Sequence, residues 1–404
     1  MKLFKVLAIN VALLIGFVEI ISFIFFKQEL RIIFAEYWQG PKSFGRGVPR
    51  NHFIKHSERG FDIDYNSQKV VSHLPNEIKP YNVWGNHIGC FDTNIDNQSK
   101  YAIYLAGDSH TWGYAPLEKK FGTKLEDQLS VDVAACGVLH TGQKHQLQKF
   151  KEITQKLGYF PETVFVNVVV NDIDNDFSHP HSTIIQGYMV DNIKINKSLV
   201  ITKLDNDYLT SKLLKEISRG SYARFGRLDP RKYSATGVLL FGIIYKPLFT
   251  KTFSRSLSIR TTSSSPKSKK FRIKNVYGVA KFVAEDRDSG YPINSFAAKN
   301  NREAIKEWIQ HAKYNGYNLI FADIDTQFFN HQSERSTPIP KVKDRQFFCE
   351  FIKQQGSKCF SFVNYLDDIG IKNWNDVRYK RDGHLNFKGN QLYSDFLVKI
   401  YKRI

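Results

Sequence analysis

The chain has 404 residues, long enough for two domains or for one domain with a large insertion. Apolar residues make up 42% of it, and 32 Phe and 20 Tyr exclude a disordered chain. With 58 Lys and Arg against 39 Asp and Glu, the formal net charge of +19 favours anionic partners: nucleic acid, lipid headgroups or acidic polysaccharide.

Taken in chain order, the first element narrows that choice. Lys2 and Lys5 precede about 21 mostly apolar residues from Val6 to Phe26, the length of helix that crosses a bilayer. Asn10 and Glu19 interrupt the run, and a mid-membrane charge costs roughly 3 kcal/mol. Glu19, however, falls near the far end, where it can sit at the interface or face a partner helix. The basic start against a near-neutral exit (Lys27, Glu29, Arg31) places the N-terminus in the cytoplasm and the rest outside. No small-x-small cleavage site follows, so residues 1–30 read as an uncleaved membrane anchor rather than a signal peptide. A buried core helix is the alternative. Export disfavours nucleic acid as the partner.

Export also sets Cys90, Cys136, Cys349 and Cys359 in an oxidising compartment. Cys349 and Cys359 are close enough in sequence to pair, and the sequence leaves that open. Cys136, beside the end of a predicted strand, reads as a small core residue. No CxxC pair is present, so a ribbon-type zinc site has no support.

Residues 31–98 read as a turn-rich, irregular membrane-proximal collar over the catalytic face or flank. Apolar runs then follow at 102–106, 131–135, 163–170, 317–322 and 359–363, alternating with helical patterns near 118–129, 143–157, 300–315, 341–354 and 386–402. Near-continuous apolar strands alternating with helices predict a parallel sheet covered on both faces. The expected fold is α/β: a flavodoxin-like three-layer arrangement with about five strands, built from 99–178 and 297–404. Residues 179–296 break this rhythm and read as a basic, Ser/Thr-rich, partly mobile insertion. Inside it, TGVLLFGIIYKPLF (236–249) is too short to span a bilayer and is either a buried element or a lipid-touching surface.

In an open parallel sheet, ligands bind at the loops leaving the strand C-termini. Those positions carry Gly107-Asp108-Ser109, Cys136-Gly137, Asn171-Asp172 and, before the last helix, Asp382-Gly383-His384. A serine, a histidine and a carboxylate on separate loops of one face are what nucleophilic acyl chemistry requires. The hydroxyl is a weak nucleophile until a base takes its proton, and the base needs an orienting acceptor.

The set GDSHTWG, Gly137, VND at 170–172 and DGHLN at 382–386 resembles the SGNH, or GDSL-like, hydrolase family over about half the chain. The spacing of Asp and His in DGHLN looks closest to anchored or exported members that add or remove esters on polysaccharides. The resemblance implies Ser109 as nucleophile, His384 as general base and acid, and Asp382 as the residue fixing its tautomer. It implies an oxyanion hole from the Ser109 and Gly137 N–H groups and the Asn171 amide. Gly142 rivals Gly137, because VDVAACGVLHTGQ lacks the family's usual Asn. The third block reads VND where the family often has Gly before Asn, which keeps the amide. Gly383 is expected to let the loop turn without a Cβ clash.

Plainer readings compete. Gly-Asp-Ser is often only a turn, Asn386 could cap the last helix, and Asp108 is expected to brace the turn rather than react. Asp172, Asp174 and Asp176 alternate like a calcium loop, but Phe177 stands where Gly is needed and Thr183 where Glu is needed. His140, His145, His179 and His181 lack carboxylate or thiolate partners at ligand spacing and read as surface or pocket-lining residues; His110 is expected to line the cleft. No phosphate loop is present, and no metal or cofactor is expected. The expectation is an exported ester hydrolase on acylated cell-envelope carbohydrate. Alternatives are an O-acetyltransferase with the same triad, supplied by a membrane acyl-donor partner, a membrane-surface lipid esterase, or an inactive glycan-binding scaffold.

Overall fold

Chain segments buried on both faces of a sheet must satisfy their backbone groups laterally, and the five long apolar runs do so as a single parallel sheet. The computed structural model describes residues 48–74, 78–94, 99–169, 171–195, 201–211, 298–324, 347–380 and 382–404, together with 6, 9–11 and 13–17. Most of the expected anchor, the 236–249 stretch and the Ser/Thr-rich basic run lie outside these residues. Among the described residues no helix is long and apolar enough to cross a membrane.

Before the sheet come two antiparallel hairpins. Strands β1 (Phe53–His56) and β2 (Gly60–Ile63) form the first, β3 (Val70–Leu74) and β4 (Ile78–Val83) the second. Within the described part of the collar, read as irregular, the chain thus forms two hairpins. Strand β5 (Ile103–Gly107) runs into helix α1 (Ser109–Trp112). Then come α2 (Phe121–Leu129), β6 (Val133–Ala135), α3 (Gln143–Leu157), β7 (Thr163–Val168) and α4 (Asn171–Ser178). Two further hairpins, β8 (Ser182–Ile185) with β9 (Tyr188–Asp191) and β10 (Ile193–Ile195) with β11 (Ile201–Lys203), open the stretch read as an insertion without regular alternation. The sheet resumes with α5 (Lys299–Asn315), β12 (Asn318–Asp323), α6 (Phe347–Gln354), β13 (Lys358–Ser361), α7 (Phe362–Asp368) and α8 (Phe387–Tyr401).

Sheet order is β13-β12-β7-β5-β6, all parallel. The order reverses between β5 and β7, and ligands settle at such a switch point. Strand residues alternate between two cores. Tyr104, Ala106, Val164, Val166 and Phe321 face α3, α5 and α6, whereas Leu105, Phe165, Ile320 and Ala322 face α2, α7 and α8.

A third core joins the collar to the site-bearing loops: Phe53, Phe61, Ile63, Val83 and Phe91 pack with Trp112, Tyr114, Val138, Leu139 and Tyr379. Polar links reinforce it. Cys136 is a buried core residue, as read, and is also disulfide-bonded to Cys90, a pairing not expected from the sequence. The Asp92 carboxylate accepts the Ala135 N–H of edge strand β6 at 2.8 Å. Lys149 donates to Asp62 at 2.5 Å and to the Gly89 carbonyl at 2.6 Å, and Arg59 bridges Asp62 and Glu152. Cys349 and Cys359 form the second disulfide, tying α6 to β13.

Candidate active site

Gly107 closes β5, and the chain turns at once into α1. A Cβ at Gly107 would lie 2.0 Å from Thr111 Oγ1, so only glycine permits α1 to fold this closely over the strand end. Asp108 caps the turn, its Oδ1 accepting the His110 N–H at 2.9 Å, in line with a bracing role. Ser109 thereby becomes the first residue of α1, 8% exposed at the switch point.

The other half of the site arrives from the far end of the chain. The main chain pairs Arg378 with Leu385, and Tyr379 N–H donates to the His384 carbonyl at 3.0 Å, forming a tight reversal before α8. Asn386 caps α8 by accepting the Gly389 N–H at 2.8 Å. Within the reversal, Asp382 Oδ1 accepts the His384 N–H at 2.9 Å and also contacts Nδ1 of the ring. The other ring nitrogen, Nε2, lies 2.7 Å from Ser109 Oγ across a separation of 275 residues. With Nδ1–H directed at Asp382, Nε2 is left as the acceptor for the serine hydroxyl. Gly383 does not have the expected role: its φ is ordinary, and a Cβ there would meet nothing within 4 Å. The carboxylate and imidazole set this loop, not a need for glycine.

Burial alone would push the Asp382 carboxyl up. The charge and hydrogen bonds of His384, with the charge of His110, outweigh it and hold the group at about 2. Asp382 is thus an anion at neutral pH, suited to orient an imidazole and to stabilise its protonated form. His110, next to the serine, is buried, and burial together with the charge of His384 lowers its imidazole to about 4.

Two other predicted residues lie close by. Gly137 presses on α1: a Cβ there would be 2.1 Å from Trp112 N. Its neighbours bind β5 on either side, Cys136 N–H to the Leu105 carbonyl and Val138 N–H to the Gly107 carbonyl, both at 3.0 Å. Asn171 Nδ2 donates to Asp108 Oδ2 at 2.8 Å; the same carboxylate oxygen lies 3.1 Å from Ser109 Oγ. The amide therefore stands beside the serine with one of its two hydrogens engaged. Gly142 lies elsewhere, against Asp172 and Asp176 at the start of α3.

Two aspartates of NDIDND, Asp172 and Asp176, are held in structural hydrogen bonds. Asp176 accepts the N–H groups of Gln143 and Lys144, capping α3, and takes a bond from Asn301. Asp172 is buried among Gln143, Gln146 and the Val169 N–H. Among the described residues no group of His, Cys, Asp and Glu could hold a metal ion. His145 and His179 pack ring to ring, and His140, His145, His179 and His181 are largely withdrawn from solvent rather than on the surface.

Several residues that position the site were not singled out from sequence. Asn167, fully buried in β7, donates to the Ala106 carbonyl at 3.0 Å and to Thr111 Oγ1 at 3.1 Å, and accepts the Tyr393 hydroxyl at 2.8 Å. It joins the serine helix to the helix that follows His384. A lone Asn inside the apolar run TVFVNV was the available signal. Tyr114, five residues after the serine, has its ring centroid 4.4 Å from that of His384. Tyr379 donates its hydroxyl to the Tyr114 carbonyl at 2.9 Å.

No protein-family model matches the chain, and no curated protein matches it in sequence. Similar solved structures include an acetyl xylan esterase (10% identity, TM-score 0.33, covering 74% of this chain and 98% of that one). A second is a lipolytic protein of the G-D-S-L family from Desulfitobacterium hafniense DCB-2 (11%, 0.35, 74% and 98%). A third is a carbohydrate esterase whose active site displays divergent catalytic and non-catalytic binding functions (9%, 0.30, 88% and 97%). Scores of this size carry no conclusion about activity, which rests on the geometry of the site.

Proposed function

We propose that the chain is a serine ester hydrolase working through an acyl-Ser109 intermediate on O-acyl groups of cell-envelope carbohydrate. One observation carries the reading: Ser109 Oγ stands 2.7 Å from His384 Nε2 while Asp382 holds Nδ1 of the same ring. His384 takes the hydroxyl proton as Oγ attacks the ester carbonyl carbon, and the carbonyl electron pair moves to oxygen. That oxyanion would be met by the N–H groups of Ser109 and Gly137 and by the Asn171 amide, each donor worth about 3 kcal/mol. The imidazolium returns its proton to the leaving alkoxide as the carbon–oxygen bond breaks. Water, activated by the same imidazole, then frees the acid; a sugar hydroxyl in its place would make the reaction an acyl transfer. The two disulfides suit an oxidising compartment and support an exported enzyme held by the apolar N-terminal segment. The +19 charge supports an acidic glycan or membrane surface nearby.

Ser109→Ala is expected to abolish hydrolysis of p-nitrophenyl acetate and labelling by a fluorophosphonate probe, with the circular dichroism spectrum unchanged. Residual turnover at the unmodified rate would remove Ser109 from the mechanism.

A further inference from the structure

We infer that Tyr114, with His110 beside it, stabilises the imidazolium that His384 becomes in the transition state, through the face of its aromatic ring. The inference rests on the serine-hydrolase reading above and extends it to a residue outside the triad.

Among the described residues, Tyr114 and His110 set their rings against His384. The Tyr114 centroid lies 4.4 Å away at an interplanar angle of 59°, and the His110 centroid 4.7 Å away at 37°. Tyr114 is 4% exposed and stands edge-on to Trp112 at 5.1 Å. Its position is tied to that of the imidazole, because Tyr379 bonds the Tyr114 carbonyl through its hydroxyl and the His384 carbonyl through its N–H. An aromatic face attracts a cation within about 6 Å and attracts a neutral imidazole far less. His384 is neutral before the reaction and charged once the Ser109 proton has moved to Nε2. The attraction is therefore stronger in the transition state than in the ground state, the condition for accelerating the step rather than tightening binding. The Tyr114 ring is itself buried, which limits screening on its side of the partly exposed imidazole.

The surroundings favour such a role. Asp382 is the anion on Nδ1, and Asp108 lies behind the serine hydroxyl. Tyr81 of β4 is half-buried and senses the Asp382 charge. His110 and His140, the basic groups whose titration responds to His384, are held near 4 by burial, so near neutral pH neither repels the imidazolium.

The test replaces the ring electronics without changing its shape. Tyr114→Phe serves as reference, followed by phenylalanines at position 114 carrying one, two and three ring fluorines, each assayed with p-nitrophenyl acetate. Fluorine withdraws charge from the ring face, so kcat is expected to fall stepwise, by roughly 3- to 30-fold over the series, with KM unchanged. The acid limb of the kcat/KM profile should move to lower pH in the same steps, because a less stabilised imidazolium loses its proton more readily. A flat series, or a rate loss with a fixed acid limb, overturns this inference alone. Absence of any Ser109-dependent turnover in the unmodified protein overturns it together with the proposed function.

Discussion

Asp382 meets His384 twice, at the main-chain N–H and at Nδ1, so a change of one atom in its side chain is felt at Nε2, the nitrogen facing Ser109. In Asp382→Asn the amide can present hydrogens to Nδ1, which favours the tautomer with its proton on Nε2 and blocks acceptance from Ser109. Turnover is expected to fall by about 10⁴ with little change in stability, read from kcat and the urea midpoint together. Gly107 is the steric counterpart. In Gly107→Ala the methyl group must displace Thr111, at an expected cost of about 1–3 kcal/mol in unfolding free energy and a matching loss of rate. The convergence of Ser109, His384 and Asp382 was legible because acyl chemistry restricts residue type and because each follows a strand or precedes a helix. Tyr114 and Asn167 were not, since their importance lies in contacts made after folding: a Tyr beside a Gly, and an Asn in a strand, have no composition of their own that signals a site. Gly383 shows the opposite error, a residue assigned a backbone duty that its open surroundings do not require.

At the level of elements, continuous apolar runs made β5, β6, β7, β12 and β13 readable, because a strand covered on both faces has no polar face to obscure its pattern. Helix α4 escaped for the converse reason. NDIDNDFS offers only Ile173 and Phe177 as apolar residues, and its buried carboxylates are satisfied by the start of α3 rather than by solvent. The collar strands, of four to six residues and three of them carrying a charged residue, are too short for periodicity to stand out. Their attachment is nevertheless specific. The Cys90–Cys136 bridge spans 46 residues and ends one position before Gly137. Chain entropy assigns a crosslink of that span about 4 kcal/mol. Replacing both cysteines by serine should lower the unfolding free energy by an amount of that order. It should also reduce kcat more than the same change at Cys349 and Cys359, which tie α6 to β13 at the edge of the sheet opposite β6. Equal kinetic effects from the two pairs would show that the collar does not support the Gly137 loop.

At the scale of the folded body, five histidines act in the same sense. Burial, helped by neighbouring positive charge, pushes His52 and His181 down to about 3 and His110, His140 and His179 to about 4, from an ordinary 6.5. The unfolded chain therefore binds protons at mildly acid pH that the folded chain refuses. The stability associated with neutral imidazoles is complete above 6.5 and is lost as pH falls toward 4 and then 3. Each contributes a slope of up to about 1.4 kcal/mol per pH unit in that window. Urea midpoints should fall steeply between neutrality and pH 5, and a flat profile would mean these rings are hydrated in solution. Such unfolding would loosen the collar, where His52 packs on Trp112. Strand β6 is three residues long, lies at the border of the sheet, and has its Ala135 N–H taken by the Asp92 carboxylate. The Val133 N–H stays with Glu126 of α2, so lifting the collar away would uncover the Ala135 N–H at the border of the sheet, a place where a second molecule can begin to add a strand. One carboxylate thereby serves as a guard against clumping at low pH, and Asp92→Ala should make the protein aggregate before it loses its remaining helices.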